Sequence, residues 1–266
     1  MDINLNNKQA VVCGSTQGIG KATAIELAML GANVTLIARN EESLKQTLSA
    51  LDTSKGQQHD YLVADFSKSE ELKVVIQQYA ARKQQQGGDV HILVNNTGGP
   101  APKEAIDSEV QDFIDAFAAH LVCNQHLVQA LVPLMKKAGY GRIINVISTS
   151  VKVPIAGLGV SNTIRGAVAS WAKTLSRELA PFGITVNNVL PGLTKTARLE
   201  ALTISRAKNA SISVEQQEKL MKESVPAKRF AEASEIAAAI AFLASPSASY
   251  INGINLPVDG GSTPCL

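Results

Sequence analysis

Three closely spaced glycines near the start of the chain have the pattern of a phosphate-binding loop. Gly14, Gly18 and Gly20 follow a short apolar run and open a stretch of helical periodicity. Glycines at such a junction let the backbone approach a pyrophosphate closely, and the N–H groups of the helix then point toward it. We therefore expect a dinucleotide phosphate site that consists of Gly14, Ser15, Gln17, Gly18, Ile19 and Gly20.

The end of the second apolar run indicates which dinucleotide would bind. An acidic residue at this position accepts hydrogen bonds from the ribose 2′-hydroxyl of NAD, whereas a basic residue binds the 2′-phosphate of NADP. Residues 37–40 contain Arg39 and no carboxylate. A guanidinium can donate two parallel hydrogen bonds to a phosphate, and Ser15 and Asn40 could add donors. The pattern favours NADP(H) over NAD(H).

The elements that would position these residues alternate along the chain. Continuous apolar runs are separated by longer stretches of helical periodicity, which is typical of a parallel sheet covered on both faces. We predict one α/β domain over residues 1–266, a Rossmann-type doubly wound parallel sheet of seven strands with helices on both faces. The predicted strands are 9–13, 33–38, 60–63, 90–94, 142–147, 185–189 and 254–258, and the predicted helices are 18–30, 41–51, 69–83, 108–137, 160–179 and 233–244.

One segment departs from this alternation. Residues 195–229 have helical periodicity without a strand, and long segments of this kind are often lids over a binding site. We expect either a substrate lid or a pair of surface helices here.

Composition excludes several classes of protein. Lys and Arg total 25 against 23 Asp and Glu, so the net charge of +2 is too small for a nucleic-acid-binding surface. The longest apolar run is too short to span a bilayer. The three cysteines lie far apart and form no CxxC pair, which argues against a zinc site and favours a reducing compartment. We expect a cytoplasmic protein with no metal, no nucleic-acid partner and no membrane partner.

Several short motifs show a resemblance to a known family. The spacing Gly-x-x-x-Gly-x-Gly, the run Asn95-Asn96-Thr97-Gly98 and the terminal Val258-Asp259-Gly260-Gly261 occur in the correct order. On these motifs the whole chain resembles the short-chain dehydrogenase/reductase family, and most of all its 3-oxoacyl-acyl-carrier-protein reductase branch. The resemblance implies further dinucleotide-binding residues, namely Asp65, Phe66, Asn95, Asn96, Gly98, Pro191, Gly192, Thr194 and Thr196.

The catalytic positions differ from those of the family. Most members carry an Asn, a Ser and a Tyr-x-x-x-Lys motif, in which the tyrosine transfers a proton and the lysine holds the nicotinamide ribose. Here Ser148 falls on the serine position, but Ser161 and Arg165 replace the tyrosine and lysine, and His120 replaces the asparagine. Ser161 and Arg165 are four residues apart, so both project from one face of a helix.

The substituted residues suggest an atypical proton relay. Arg165 can hold ribose hydroxyls but stays protonated, so it cannot transfer protons. A serine hydroxyl is a far weaker acid than tyrosine, so Ser161 would need a water or the substrate to complete a relay. His120 ordinarily titrates near neutrality and is the candidate proton source. The alternative interpretation is that His120 is a core histidine bonded to the backbone.

These observations leave more than one function open. The first is an NADP(H)-dependent oxidoreductase that acts on a small carbonyl or alcohol substrate. The second is a 3-oxoacyl-acyl-carrier-protein reductase activity, although the positions expected to dock the carrier fall on Gly139 and Phe182. The third is a dinucleotide-binding homologue without turnover, acting as a sensor or partner subunit. The resemblance also implies a homodimer or homotetramer paired through long helices.

Overall fold

A computed structural model describes residues 1–265 of the chain, in which seven strands form one parallel sheet. The order of the strands across the sheet is β3-β2-β1-β4-β5-β6-β7. This order confirms the predicted doubly wound, Rossmann-type sheet. The strands are β1 Gln9–Cys13, β2 Asn33–Ala38, β3 Asp60–Val63, β4 Ile92–Asn95, β5 Gly141–Val146, β6 Ile184–Pro191 and β7 Asn255–Val258.

The order of the strands reverses between β1 and β4, which are neighbours in the sheet. The connections from β1 run outward in one direction to β2 and β3, and those from β4 run outward in the other. A crevice opens at such a reversal, outside the carboxyl ends of the strands, and ligands of doubly wound sheets bind there. The glycine-rich loop follows β1 directly, so it lies at the edge of this crevice.

Helices cover both faces of the sheet. Helices α1, α2 and α9 bury their apolar residues against one face, with Leu27, Leu44 and Ile240 fully buried. Helices α3, α5 and α6 cover the other face, where Ile76 and Leu131 are fully buried. The helices are α1 Gly18–Met29, α2 Glu41–Ser49, α3 Ser69–Gln85, α4 Val110–Phe117, α5 Cys123–Ala138, α6 Gly159–Leu179, α7 Ala197–Ala210, α8 Val214–Ser224 and α9 Ala233–Ala244.

The long helix predicted over 108–137 is interrupted. Helices α4 and α5 are joined through one π-helical turn over Ala118–Val122, which contains the buried His120. A π turn widens the helix by one residue and often occurs at functional sites. Residues 118–122 contain no glycine or proline, so the periodicity of the sequence predicts one continuous helix across the π turn.

The segment 195–229 contains α7 and α8, as its helical periodicity predicted. Its two ends are held together by a bridge, in which the Lys195 amide donates to the Ala231 carbonyl at 2.9 Å and the Ala231 amide donates to the Leu193 carbonyl at 2.9 Å. Leu199, Met221 and Phe230 form a small core of its own. The segment is therefore a compact unit anchored at its base.

Among residues 1–265, no helix is both long and apolar enough to cross a membrane.

Candidate active site

The glycine-rich loop makes two turns that require glycine. Gly14 and Gly18 have φ values of +59° and +51°, a region that L side chains rarely adopt. A Cβ on Gly20 would lie 2.1 Å from the Gly14 carbonyl oxygen. Helix α1 begins at Gly18 with no side-chain cap and no acidic residue in its first turn. Its first N–H groups are therefore free to bind an anion, and the loop fits the pyrophosphate of a dinucleotide.

The predicted ribose-phosphate donors differ in availability. The Ser15 side chain is fully buried, and its hydroxyl donates to the Ile37 carbonyl at 3.3 Å. In this arrangement the hydroxyl hydrogen of Ser15 is used inside the protein, so the role of Ser15 as a donor to a 2′-phosphate stays a prediction. Asn40 caps α2 through Oδ1, which accepts from the Ser43 amide at 2.8 Å, and its amide nitrogen is not used in that cap.

Arg39 lies at the end of β2 and is exposed. Within residues 1–265 it forms no ion pair, so its guanidinium is available to a ligand. Arg39 also contributes weakly to lowering the pKa of Asp65, a carboxyl held mainly by a hydrogen bond from the Ser67 amide. Arg39 and Asp65 follow the neighbouring strands β2 and β3, so both lie at the carboxyl edge of the sheet.

Asn96 ties the loop after β4 to the glycine-rich loop. Its amide nitrogen donates to the carbonyls of Cys13 and Gly14 at 3.3 and 3.4 Å. A Cβ on Gly14 would lie 2.6 Å from the Asn96 carbonyl oxygen, so the two loops are in close contact. Gly98 follows and is exposed, whereas Phe66 is buried in the core that α3 and α5 cover.

A ladder of asparagines crosses the sheet beneath the site. Asn95 donates to Asn145 at 2.8 Å, Asn145 to Asn188 at 2.9 Å, and Asn188 to Asn255 at 2.8 Å. The four residues are in register on neighbouring strands. The Asn95 Oδ1 at the end of the ladder is buried without a partner. The ladder fixes the separation of the strand ends that carry the site, and of its members only Asn95 was predicted as a site residue.

The segment after β6 closes over the crevice. A Cβ on Gly192 would lie 2.7 Å from the Asp259 Cα, so the segment lies tightly against the last turn of the chain. The Thr194 hydroxyl donates to the Gly192 carbonyl at 3.1 Å, and Thr196 caps α7. A Cβ on Gly18 would lie 3.1 Å from the Thr196 methyl group. The sequence-predicted segment that starts at Pro191 thus meets the glycine-rich loop.

Neither of the two candidate serines donates its hydroxyl hydrogen to a residue of 1–265. Ser148 follows β5, and its oxygen accepts from the Ser150 amide at 3.1 Å. Ser161 lies on α6 with 7% of its surface exposed. Its hydroxyl makes no hydrogen bond to any described residue of the chain. A serine whose hydrogen is not used inside the protein can donate it to a ligand.

Arg165 is a buried cation with few partners. It is 8% exposed, and one hydrogen bond is formed, from Nη1 to the Val146 carbonyl at 3.2 Å. Burial, and next the charge of Arg198, lower the pKa of Arg165 to about 10. Arg165 therefore remains protonated at neutral pH, with most of its N–H donors unused.

His120 does not titrate near neutrality, and the prediction that it is the proton source needs correction. Burial lowers the pKa of His120 to about 2, and the charges of Arg165 and then Arg198 act in the same direction. A hydrogen bond with the Gly98 backbone raises the pKa of His120, but by less than burial and the two charges lower it. His120 is 2% exposed. It is therefore a neutral histidine bonded to the backbone, which is the alternative interpretation from the sequence.

Arg198 is a site residue that the sequence did not indicate. It lies in the first turn of α7 and donates to the carbonyls of Gly99 and Pro100 at 2.8 and 3.1 Å. A Cβ on Gly99 would lie 2.8 Å from the Arg198 Nη2. The position of Arg198 depends on how α7 folds back over the loop after β4. Sequence spacing between residues about a hundred positions apart carries no signal for that contact.

Comparison with known proteins agrees with this geometry. The profile of the family described as "Enoyl-(Acyl carrier protein) reductase" matches residues 14–263. The chain belongs to the short-chain dehydrogenase/reductase family. It is 31% identical to the "NADPH-dependent reductase BacG" of Bacillus subtilis and 34% identical to the "3-oxoacyl-[acyl-carrier-protein] reductase FabG" of Haemophilus influenzae. Each comparison covers 97% of this chain and 98% of the other.

Solved structures of this family superpose over nearly the whole chain. The L-sorbose reductase of Gluconobacter frateurii, complexed with NADPH and L-sorbose, gives a TM-score of 0.91 at 28% identity and covers 100% of both chains. YwfH, an NADPH-dependent reductase of bacilysin biosynthesis, gives 0.90 at 29% identity over 98% of this chain and 100% of the other. This short-chain dehydrogenase/reductase is therefore an oxidoreductase with a dinucleotide site.

Proposed function

We propose that the protein is an NADPH-dependent reductase of small carbonyl compounds that works without the tyrosine of its family. The observation that carries the proposal is the arrangement around Arg165. Arg165 is buried and donates to the Val146 carbonyl at the end of β5, the strand that Ser148 follows. Ser161 lies one turn before Arg165 on α6, so the two serines and the guanidinium are grouped at the carboxyl end of β5. Several relatives support the choice of cofactor, since BacG and YwfH are described as NADPH-dependent and L-sorbose reductase was solved with NADPH.

The residues of the crevice fit a bound NADP(H). The N-terminus of α1 would hold the pyrophosphate, Arg39 the 2′-phosphate, and Arg165 the nicotinamide ribose. Thr194 and Thr196 would lie against the cofactor from the closing segment. When bound, the reduced nicotinamide supplies a hydride, which is the chemistry that this family takes from its cofactor.

The substrate oxygen would be polarised by Ser148 and Arg165. The Ser148 oxygen accepts from the Ser150 amide, and no residue of 1–265 accepts its hydroxyl hydrogen, so the hydroxyl can donate to a carbonyl. As the carbonyl carbon gains a hydride, negative charge develops on its oxygen. A preorganised cation in a site from which water is largely excluded stabilises that charge strongly. The permanent charge of Arg165 would serve this purpose.

The proton that completes the alcohol would come from solvent through Ser161. His120 is neutral and bonded to the Gly98 backbone, so we assign it a structural role in holding the loop after β4. Ser161 has an unused hydroxyl, which can accept a proton from water while it donates its own. This relay contains no group that titrates near neutrality, so we expect the plot of reaction rate against pH to show no change near the ordinary pKa of histidine.

A carrier-protein substrate is less well supported. Gly139 ends α5 in a left-handed conformation, and Phe182 is 43% exposed with Lys136 over its ring. Neither position carries the basic side chain that docking of an acyl carrier requires in the related branch. We therefore favour a small free substrate, with the segment 195–229 as its lid.

Helix α4 supports the proposal of a homodimer or homotetramer. It exposes an apolar stripe of Val110, Ile114 and Phe117, which are 75%, 54% and 42% exposed. Exposed apolar residues on one helix face mark a surface that another chain covers. A second copy of this chain would pair its own α4 against it. Light scattering at micromolar concentration measures this directly, and a monomer would contradict it.

Two measurements together test the proposed function. The first is a fluorescence titration of NADPH and of NADH into the protein. The second is consumption of NADPH in the presence of a panel of ketones, aldehydes and oxo acids. We expect tighter binding of NADPH than of NADH and turnover of at least one class of carbonyl. Tight binding without turnover across the panel would favour a sensor or partner subunit instead.

A further inference from the structure

Two arginines at the crevice, Arg165 and Arg198, have no carboxylate partner among residues 1–265. The charge of Arg198 lowers the pKa of Arg165, so the two guanidiniums lie near each other. Within residues 1–265, the ion pairs include neither arginine. Arg165 is buried, and a buried cation normally has an anionic partner, because the removal of a charge from water costs free energy that a partner must offset. Arg198 is exposed, so its guanidinium is accessible to a ligand from solvent.

Both guanidiniums keep donors that no residue of 1–265 accepts. Arg165 uses one N–H, toward the Val146 carbonyl, and Arg198 uses two, toward the carbonyls of Gly99 and Pro100. Both also act on His120, the buried residue that lies between the loop after β4 and α6. Their remaining donors are therefore available at the catalytic positions.

We propose that the substrate carries a carboxylate, which Arg198 binds in the crevice between the loop at Gly99 and the first turn of α7, with the charge of Arg165 close by. The proposal rests on the proposed reductase function and narrows its substrate to oxo acids and the corresponding hydroxy acids. A planar guanidinium already fixed by two carbonyls is preorganised to donate to a carboxylate.

The cofactor offers a second anion with similar chemistry, its pyrophosphate. The free N–H groups of α1 and the glycine-rich loop already form a complete site for that group. Arg198 instead acts on His120 and Arg165, which occupy catalytic positions. The substrate is therefore the better occupant of the Arg198 site.

The test uses an unreactive ligand, so that it does not depend on turnover. Malonate and its uncharged counterpart malonamide are titrated into the full-length protein saturated with NADPH, by calorimetry. We expect malonate to bind and malonamide not to bind. In Arg198→Gln the affinity for malonate should fall about 10–100-fold, the loss expected for one charge-assisted hydrogen-bonded contact. Arg198→Lys should recover part of it, because it keeps the charge without the planar fork.

The control variant is Arg206→Gln, which removes the same charge from the same helix. Arg206 lies eight residues further along α7 and is outside the contacts with the loop after β4. Its affinity for malonate should equal that of the wild type. A parallel assay compares the reduction of pyruvate with pyruvamide, and of acetoacetate with acetoacetamide, in all variants.

The outcomes separate the inference from the proposed function. Equal binding of malonate by Arg198→Gln and Arg206→Gln would overturn the carboxylate site, as would equal reduction of the acids and their amides. A loss of NADPH affinity in Arg198→Gln that matches the loss of malonate affinity would assign Arg198 to the pyrophosphate and overturn it too. Arg198-dependent binding of malonate without reduction of any carbonyl would support the site and refute the reductase.

Discussion

The buried neutral state of His120 predicts a specific loss of stability in acid. In the unfolded chain a histidine takes up a proton below its ordinary pKa of 6.5, whereas His120 in the folded protein does so only near 2. His120 therefore lowers the free energy of unfolding between these two pKa values, and the loss of stability grows as the pH falls. Each pH unit below 6.5 costs about 1.4 kcal/mol, so the loss at about pH 5 is about 2 kcal/mol.

The perturbation that isolates this contribution is His120→Asn, which introduces the residue that most of the family carries there. Urea unfolding, followed by the fluorescence of the single tryptophan, Trp171, is measured at about pH 7 and about pH 5 at one protein concentration. The other acid-sensitive groups, among them His91, whose pKa burial lowers to about 4, are common to both proteins and cancel. We expect wild type to lose about 2 kcal/mol more than the variant. An equal loss in the two proteins would refute the assignment of His120 as a buried neutral histidine.

Three further predictions concern the cofactor, the substrate and the sheet. Arg39→Ala should weaken NADPH binding by about 1.5–3 kcal/mol and leave NADH binding unchanged. Fluorescence titration measures both affinities, with Arg206→Ala as the control variant. Equal affinities of the wild type for the two cofactors would contradict this prediction. Ser148→Ala should reduce kcat/KM by about 10²–10³-fold with little change in the affinity for NADPH, because it removes a donor to the developing negative charge; unchanged kinetics would remove Ser148 from the site. Asn145→Leu should destabilise the protein by roughly 2–6 kcal/mol in urea unfolding. The variant leaves a buried donor on Asn95 and a buried acceptor on Asn188 without partners. A loss below about 1 kcal/mol would show that the asparagine ladder does not stabilise the sheet.

The sheet and its loops could be predicted because local patterns determine them. Apolar runs bounded by helical periodicity identify all seven strands, and the carboxyl ends of parallel strands meet at one edge. The glycine-rich loop followed from its own glycines, since close approach of backbones demands glycine, whereas Gly192 was indicated only by the resemblance to the family. The motifs of the family then placed the remaining cofactor residues in order along the chain.

The electrostatics of the site could not be predicted in this way. The ordinary pKa of His120 suggested an acid, but burial and two nearby arginines reverse that expectation, and burial depends on tertiary packing. Arg198 escaped notice because its contacts with Gly99 and Pro100 join distant parts of the chain. The asparagine ladder did leave a trace, since an asparagine occurs in each of four strands, but only the register of the sheet aligns them.

The proposed activity is the reduction of a carbonyl with NADPH by a protein that has serine and arginine in place of the tyrosine and lysine of its family. The most direct measurement uses NADPH that carries deuterium at the transferable position of the nicotinamide, with the oxo acids of the panel as substrates. Mass spectrometry of the product alcohol should show one deuterium on the former carbonyl carbon, with consumption of an equal amount of cofactor. Cofactor that stays bound and undiminished, or an alcohol without deuterium, would contradict the account.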